Sequence, residues 1–127
     1  MNSPARLPMV EQEEQVRGLL RTVLMRSGYE VQTAGTGEEA IETMQASSGF
    51  DAVLSEAALP GMNGHEMARH VAVRYPATKV IFVTATNVEC EMCPHAVQCP
   101  WIAKPFAPTE LVQRIAEILG GSPRQLN

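Results

Sequence analysis

The stretch AVLSEAALPGMNG, residues 52–64, begins as a buried strand and ends as a turn that feeds a helix. Ala52, Val53 and Leu54 are apolar, and Pro60 and Gly61 interrupt the run. Asn63 with Glu66 three residues on has the spacing of a helix cap. Between strand and turn stands one acid, Glu56. In an α/β protein a carboxylate at the end of a buried strand is delivered to the crevice where ligands bind. The reading of this stretch as strand, turn and helix therefore fixes both a fold class and a place to look for chemistry.

The flanking sequence repeats the same alternation. RLPMV (6–10) reads as a short apolar strand in which Pro8 lacks a backbone donor, so the expectation is a position that does not need that N–H. From Glu13 to Arg26 the residues Val16, Leu19, Leu20, Val23 and Leu24 recur at helical spacing, and Gly28 is a natural stop. YEVQTA (29–34) alternates as a strand, and Thr36 with Glu39 has capping-box spacing ahead of Ala40, Ile41 and Met44. After the third strand, DAVLS (51–55), a helix turns Met67 and Val71 inward. KVIFVT (79–84) is nearly all apolar and β-branched, as a strand covered on both faces must be. WIA (101–103) is a short fifth strand, and Pro108 opens a last helix with Leu111, Ile115, Ile118 and Leu119 on one face. Five strands alternating with about five helical segments predict a doubly wound parallel sheet, a (βα)5 α/β domain over residues 1–121, with residues 122–127 as a flexible tail.

Bulk properties narrow the function. A chain of 127 residues with 45% hydrophobic content has room for one core. The net charge is −4 and the ten Lys and Arg are scattered, which argues against nucleic-acid binding. The start, MNSPARLP, has no signal-peptide core and no run reaches membrane-spanning length, so a cytoplasmic protein is expected.

The carboxyl ends of the strands bring together Glu11 and Gln12, Glu56, Thr84 and Lys104. Acids, a hydroxyl and a lysine at one edge suit an anion or a divalent cation. The motifs MVEQEE (9–14), FDAVLSEAALPGMNG (50–64), VIFVTA (80–85) and AKPF (103–106), in this order and spacing, resemble the receiver domain of two-component response regulators over nearly the whole chain. The resemblance implies a flavodoxin-like fold and a magnesium site at the acid pair, Glu11 and Gln12. It also implies a phosphoacceptor at Glu56, phosphoryl contacts from Thr84 and Lys104, and a switch aromatic at Trp101. The Lys104-Pro105 bond is implied to be cis. Against the switch role, the bulk of indole favours a partly buried packing residue at 101.

Two positions depart from the family pattern. Glu56 stands where the family has aspartate, and Gln12 stands for the second acid of the metal pair. At about 4 Å and an effective dielectric of about 20, each unit charge removed costs roughly 4 kcal/mol of gross attraction, twice that for a divalent ion. Magnesium binding is expected to be weakened or absent. Glutamate is a methylene longer than aspartate, which displaces the acceptor oxygens from the in-line position that phosphoryl transfer needs. Three readings follow: Glu56 imitates the modified state by pairing with Lys104 or Thr84, it marks a decayed site on a retained scaffold, or it serves as an ordinary acceptor.

CEMCPHAVQC (90–99) is a separate puzzle. Cys90, Cys93 and Cys99, with His95 between them, form a C-x₂-C-x₅-C run that could ligate zinc or part of an iron–sulfur cluster, although His95 is only two residues from Cys93. A disulfide, reversible oxidation or simple packing are the alternatives, and a metal- or redox-responsive binding module is the corresponding rival function. His65 and His70 fall in the third helix, where His65 reads as a solvated residue near the crevice mouth. Met9, Met44, Met62 and Met67 read as core filling. No nucleophile–base pair or cofactor loop points to an enzyme. The expectation is a signalling module that acts through a histidine kinase or downstream effector. Its contact face, and a homodimer interface, is expected at the fourth segment, fifth strand and fifth helix.

Overall fold

Apolar runs at the expected places become five strands, each followed or preceded by an amphipathic helix. The computed structural model describes residues 5–47, 49–56, 59, 61–62, 64–84 and 101–120, with the backbone alone at Thr84. Along the chain lie β1 (Arg6–Val10), α1 (Glu14–Arg26), β2 (Glu30–Ala34), α2 (Gly37–Gln45), β3 (Ala52–Glu56), α3 (Gly64–Arg74), β4 (Lys79–Thr84), β5 (Trp101–Ala103) and α4 (Pro108–Ile118). All strand pairs are parallel and the order across the sheet is β2-β1-β3-β4-β5. The fold is the flavodoxin-like α/β architecture, with four helices among the described residues. The expected helical segment between β4 and β5, with Cys90, Cys93, His95 and Cys99, lies outside the described residues, as do Asn63, Gly121 and the tail 122–127.

Alternation along the strands splits the core in two. Leu7, Met9, Ala52, Leu54, Ile81, Val83 and Ile102 face α1 and α4, where Leu20, Leu24, Leu111 and Ile115 meet them. Val10, Val53, Val80 and Phe82 face α2 and α3, packing on Ala40, Met44, Met67 and Val71. Met9, Met44 and Met67 are buried and Met62 packs against the second layer, as their reading as core filling requires.

Local chemistry sets the element ends. At the end of α1, Gly28 has φ 93°, its N–H donates to the Met25 carbonyl, and Tyr29 N–H donates to the Leu24 carbonyl. Thr36 Oγ1 accepts from the Glu39 N–H at 3.1 Å. Glu39 in turn reaches the Gly35 N–H at 3.4 Å and not that of Thr36. Ala107 has no side-chain acceptor, so Glu110 alone ties that helix start by accepting the Ala107 N–H at 3.2 Å.

Pro8 lies in an interior strand, since β1 runs between β2 and β3. Ala5 and Glu11 bond to β2 while Arg6 faces β3, so the missing Pro8 donor also faces β3. There β1 pairs with β3 at Met9 with Leu54 and Val10 with Ser55, and the Asp51 carboxylate accepts the Arg6 N–H at 2.8 Å. Trp101 is 40% exposed on the edge strand β5, while Ile102 enters the core. His65 is half-buried, its ring 5.2 Å from that of Phe82, so it is not a solvated residue.

Candidate functional site

The sheet reverses its winding between β1 and β3, and the crevice opens at the carboxyl ends of those two strands. Glu11 follows β1 directly, and its N–H continues the ladder to the Ala34 carbonyl at 3.0 Å. Glu56 is the last residue of β3, paired in register with Val83. Buried Ser55 donates its hydroxyl to the Glu56 carbonyl at 2.9 Å, which satisfies both groups at the strand end. Lys104 follows β5 and precedes a cis Lys104-Pro105 bond, as the resemblance implied.

These three side chains meet. Lys104 Nζ lies 2.6 Å from Glu56 Oε2 and 3.5 Å from Glu11 Oε1. The other Glu11 oxygen accepts the Glu13 N–H at 3.0 Å. Glu11 is 5% exposed, whereas the Lys104 side chain is 31% exposed, so the cluster is buried at its acidic base and open at its lysine. Burial alone pushes the Lys104 ammonium towards losing its proton. The hydrogen bond and negative charge of Glu56, joined by Glu11, outweigh that and raise its pKa above the ordinary 10.5.

The other residues expected here divide. Gln12 is exposed and its backbone carbonyl accepts from Arg17, so it does not join the cluster in the way Glu11 does. The Thr84 backbone ends β4 opposite Ala103, at the same edge, while its side chain is outside the described residues. Trp101 lies at the exposed edge and its carbonyl is 3.5 Å from Arg114 Nη2.

Sequence reasoning missed Arg17. Its Nη1 donates to the carbonyls of Glu11 at 2.9 Å and Gln12 at 3.3 Å. A signal was present: a long basic side chain one turn into a helix leans back over the residues before that helix. It also missed the contact of α2 with the turn after β3, where Glu38 Oε2 accepts the Met62 N–H at 3.4 Å.

The donor set fits a magnesium ion poorly. Both carboxylates at the cluster already face an ammonium, and the neighbouring Gln12 brings no charge. What the arrangement does chemically is hold a carboxylate–ammonium–carboxylate array in fixed order.

A doubly wound sheet with acids and a lysine at its switch point defines a class of α/β signalling modules, and comparison with known proteins identifies the class. The family model described as "Response regulator receiver domain" matches residues 8–116, and the chain belongs to that family. It is 33% identical over 113 residues to Transcriptional regulatory protein ResD of Bacillus subtilis, covering 87% of this chain and 46% of that protein. It is 32% identical over 123 residues to Sensor kinase CckA of Brucella abortus, covering 94% of this chain but 13% of that protein. The chain thus spans about half or less of these relatives. Among solved structures, chemotaxis response regulator CheY4 of Vibrio cholerae superimposes with a TM-score of 0.81 at 28% identity, covering 91% of this chain and 98% of that one. Response regulator protein TrrA of Thermotoga maritima, solved in complex with Mg(2+)-BeF, gives 0.79 at 28% identity, with coverage of 91% and 98%. No described helix is long and apolar enough to cross a membrane.

Proposed function

We propose that this receiver domain is set in one signalling state by its Glu56–Lys104 ion pair and is not phosphorylated in the usual way. The observation that carries the reading is the 2.6 Å contact between Lys104 Nζ and Glu56 Oε2, backed by Glu11. Glu56 stands where the resemblance places a phosphoacceptor aspartate. Its extra methylene carries the carboxylate to the lysine that would otherwise meet an incoming phosphoryl group. A nucleophile held in an ion pair and lacking a well-charged metal site loses both positioning and charge neutralisation. The imitation is partial, because one carboxylate charge is less than the −1.5 to −2 typical of a phosphate.

The poor metal donor set means that we derive no step through magnesium, although its relative TrrA was solved with Mg(2+)-BeF. Glu56, the group placed to act as a nucleophile, is tied to the Lys104 ammonium, and on this reading the domain works by binding. Its partners are proteins of a two-component pathway in the cytoplasm, a histidine kinase or a downstream effector, and not nucleic acid. The contact face is β5, α4 and the segment before β5, where Trp101 is exposed, and a second copy can use the same face.

The test is incubation with acetyl phosphate and magnesium, followed by intact-protein mass and hydroxylamine lability. The wild type is expected to stay unmodified, while the Gln12→Asp/Glu56→Asp double variant gains a labile phosphoryl group. A labile phosphoryl group on Glu56 in the wild type returns the domain to the ordinary receivers.

A further inference from the structure

We propose that Arg17 is the positioning residue of the crevice: its guanidinium pins the β1–α1 turn so that the Glu11 carboxylate stands against Lys104. The proposal rests on the reading of Glu11, Lys104 and Glu56 as the working cluster, and goes beyond it by naming what holds the cluster in place.

Three observations converge on Arg17. One nitrogen, Nη1, donates to two successive carbonyls of the turn, Glu11 at 2.9 Å and Gln12 at 3.3 Å. These carbonyls precede α1 and lie outside its hydrogen-bonded ladder, so a charge-assisted donor fixes a peptide pair that would otherwise be held by water. Arg17 also lies against the neighbouring turn: a Cβ at Gly35 would stand 3.3 Å from Nη1. Gly35 follows Ala34, whose carbonyl receives the Glu11 N–H. The guanidinium therefore spans the turns after β1 and β2, and the lack of a side chain at 35 leaves it room.

The consequence passes to Glu11. With both the N–H and the carbonyl of Glu11 bonded, its backbone has little freedom to rotate, and Glu13 N–H holds Oε2. Oε1 is left directed at Lys104. Among the described residues no hydrogen bond or ion pair joins Arg17 to Lys104, so its influence on the ammonium runs through the position of Glu11.

Lysine side-chain NMR through an alkaline titration tests this, with Lys104 assigned by loss of its signal in Lys104→Met. In the wild type the Lys104 midpoint is expected above 10.5. Glu11→Gln lowers it, and Arg17→Ala is expected to lower it by at least half as much, with part of the shift recovered in Arg17→Lys. Gly35→Ala crowds the guanidinium while keeping its charge, and lowers the midpoint too, which gives an answer if Arg17→Ala does not fold. Lys79→Ala, which loses a contact at the opposite end of the sheet, leaves the midpoint unchanged and controls for general loosening. An unshifted Lys104 in both Arg17→Ala and Gly35→Ala, while Glu11→Gln shifts it, overturns the positioning role alone. A Lys104 midpoint that Glu11→Gln and Glu56→Gln both leave unmoved overturns the cluster reading and this inference with it.

Discussion

Lys104 carries one ammonium between two carboxylates, and its titration links the crevice to the stability of the fold. Its pKa is raised in the folded chain: burial opposes the charge, and the hydrogen bond and charge of Glu56, with those of Glu11, overcome it. A folded value above the unfolded 10.5 means the pair's contribution is fully present below 10.5 and is lost as pH rises through the folded value. Urea unfolding followed from pH 8 upward, in steps of about half a unit, is expected to show no loss from this pair until the pH passes 10.5. Beyond that the wild type declines more steeply than Glu56→Gln, and equal slopes count against the pair. Both oxygens of Glu11 are also engaged, which explains how two acids are tolerated at the edge of a core.

At the scale of elements, the site is framed by turns tied to their neighbours. The turn after β3 approaches α2 closely: Gly61 has φ 68°, and a Cβ there would stand 3.0 Å from Glu38 Oε2. Gly61→Ala therefore meets both an unfavourable backbone conformation and a crowded carboxylate. It is expected to destabilise the domain by about 1–2 kcal/mol. A shift of the urea midpoint at unchanged m-value measures it. Replacing Glu38 with Ala in the same background removes the crowding and leaves the backbone cost, so the double variant is expected to recover part of the loss. At the other end of the sheet, Lys79 Nζ donates to the Ile118 carbonyl at 2.6 Å, holding the last turn of α4 to the start of β4.

For the molecule as a whole, a ligand that binds only the folded state raises the unfolding midpoint, by an amount that grows as RT ln(1 + L/Kd), where L is the free ligand concentration. On the proposed reading Lys104 already neutralises Glu11 and Glu56, and magnesium is expected to add little. Thermal unfolding with and without magnesium, at roughly a hundredfold excess over a typical divalent-site dissociation constant, is expected to give the same midpoint in the wild type. Lys104→Met is expected to show a rise on adding magnesium, because it leaves Glu11 and Glu56 facing one another with no cation between them. A comparable rise in the wild type counts against the weakened metal site.

The sequence by itself determined the order of the elements, the parallel doubly wound sheet and the edge at which Glu11, Glu56 and Lys104 meet. Strand alternation, helical spacing and turn residues are local signals, and parallel topology forces strand ends together. The tertiary structure decided what those signals do not encode. It placed Pro8 in an interior strand, where the side chain of Asp51 answers the neighbouring Arg6 N–H. It left Trp101 exposed on an edge, set His65 against Phe82, and kept Gln12 apart from the cluster. Most of all, it brought Arg17 over the first turn and Glu56 to within a hydrogen bond of Lys104. Those contacts depend on the reach and rotamer of long side chains across different elements, and no spacing along one chain can fix that.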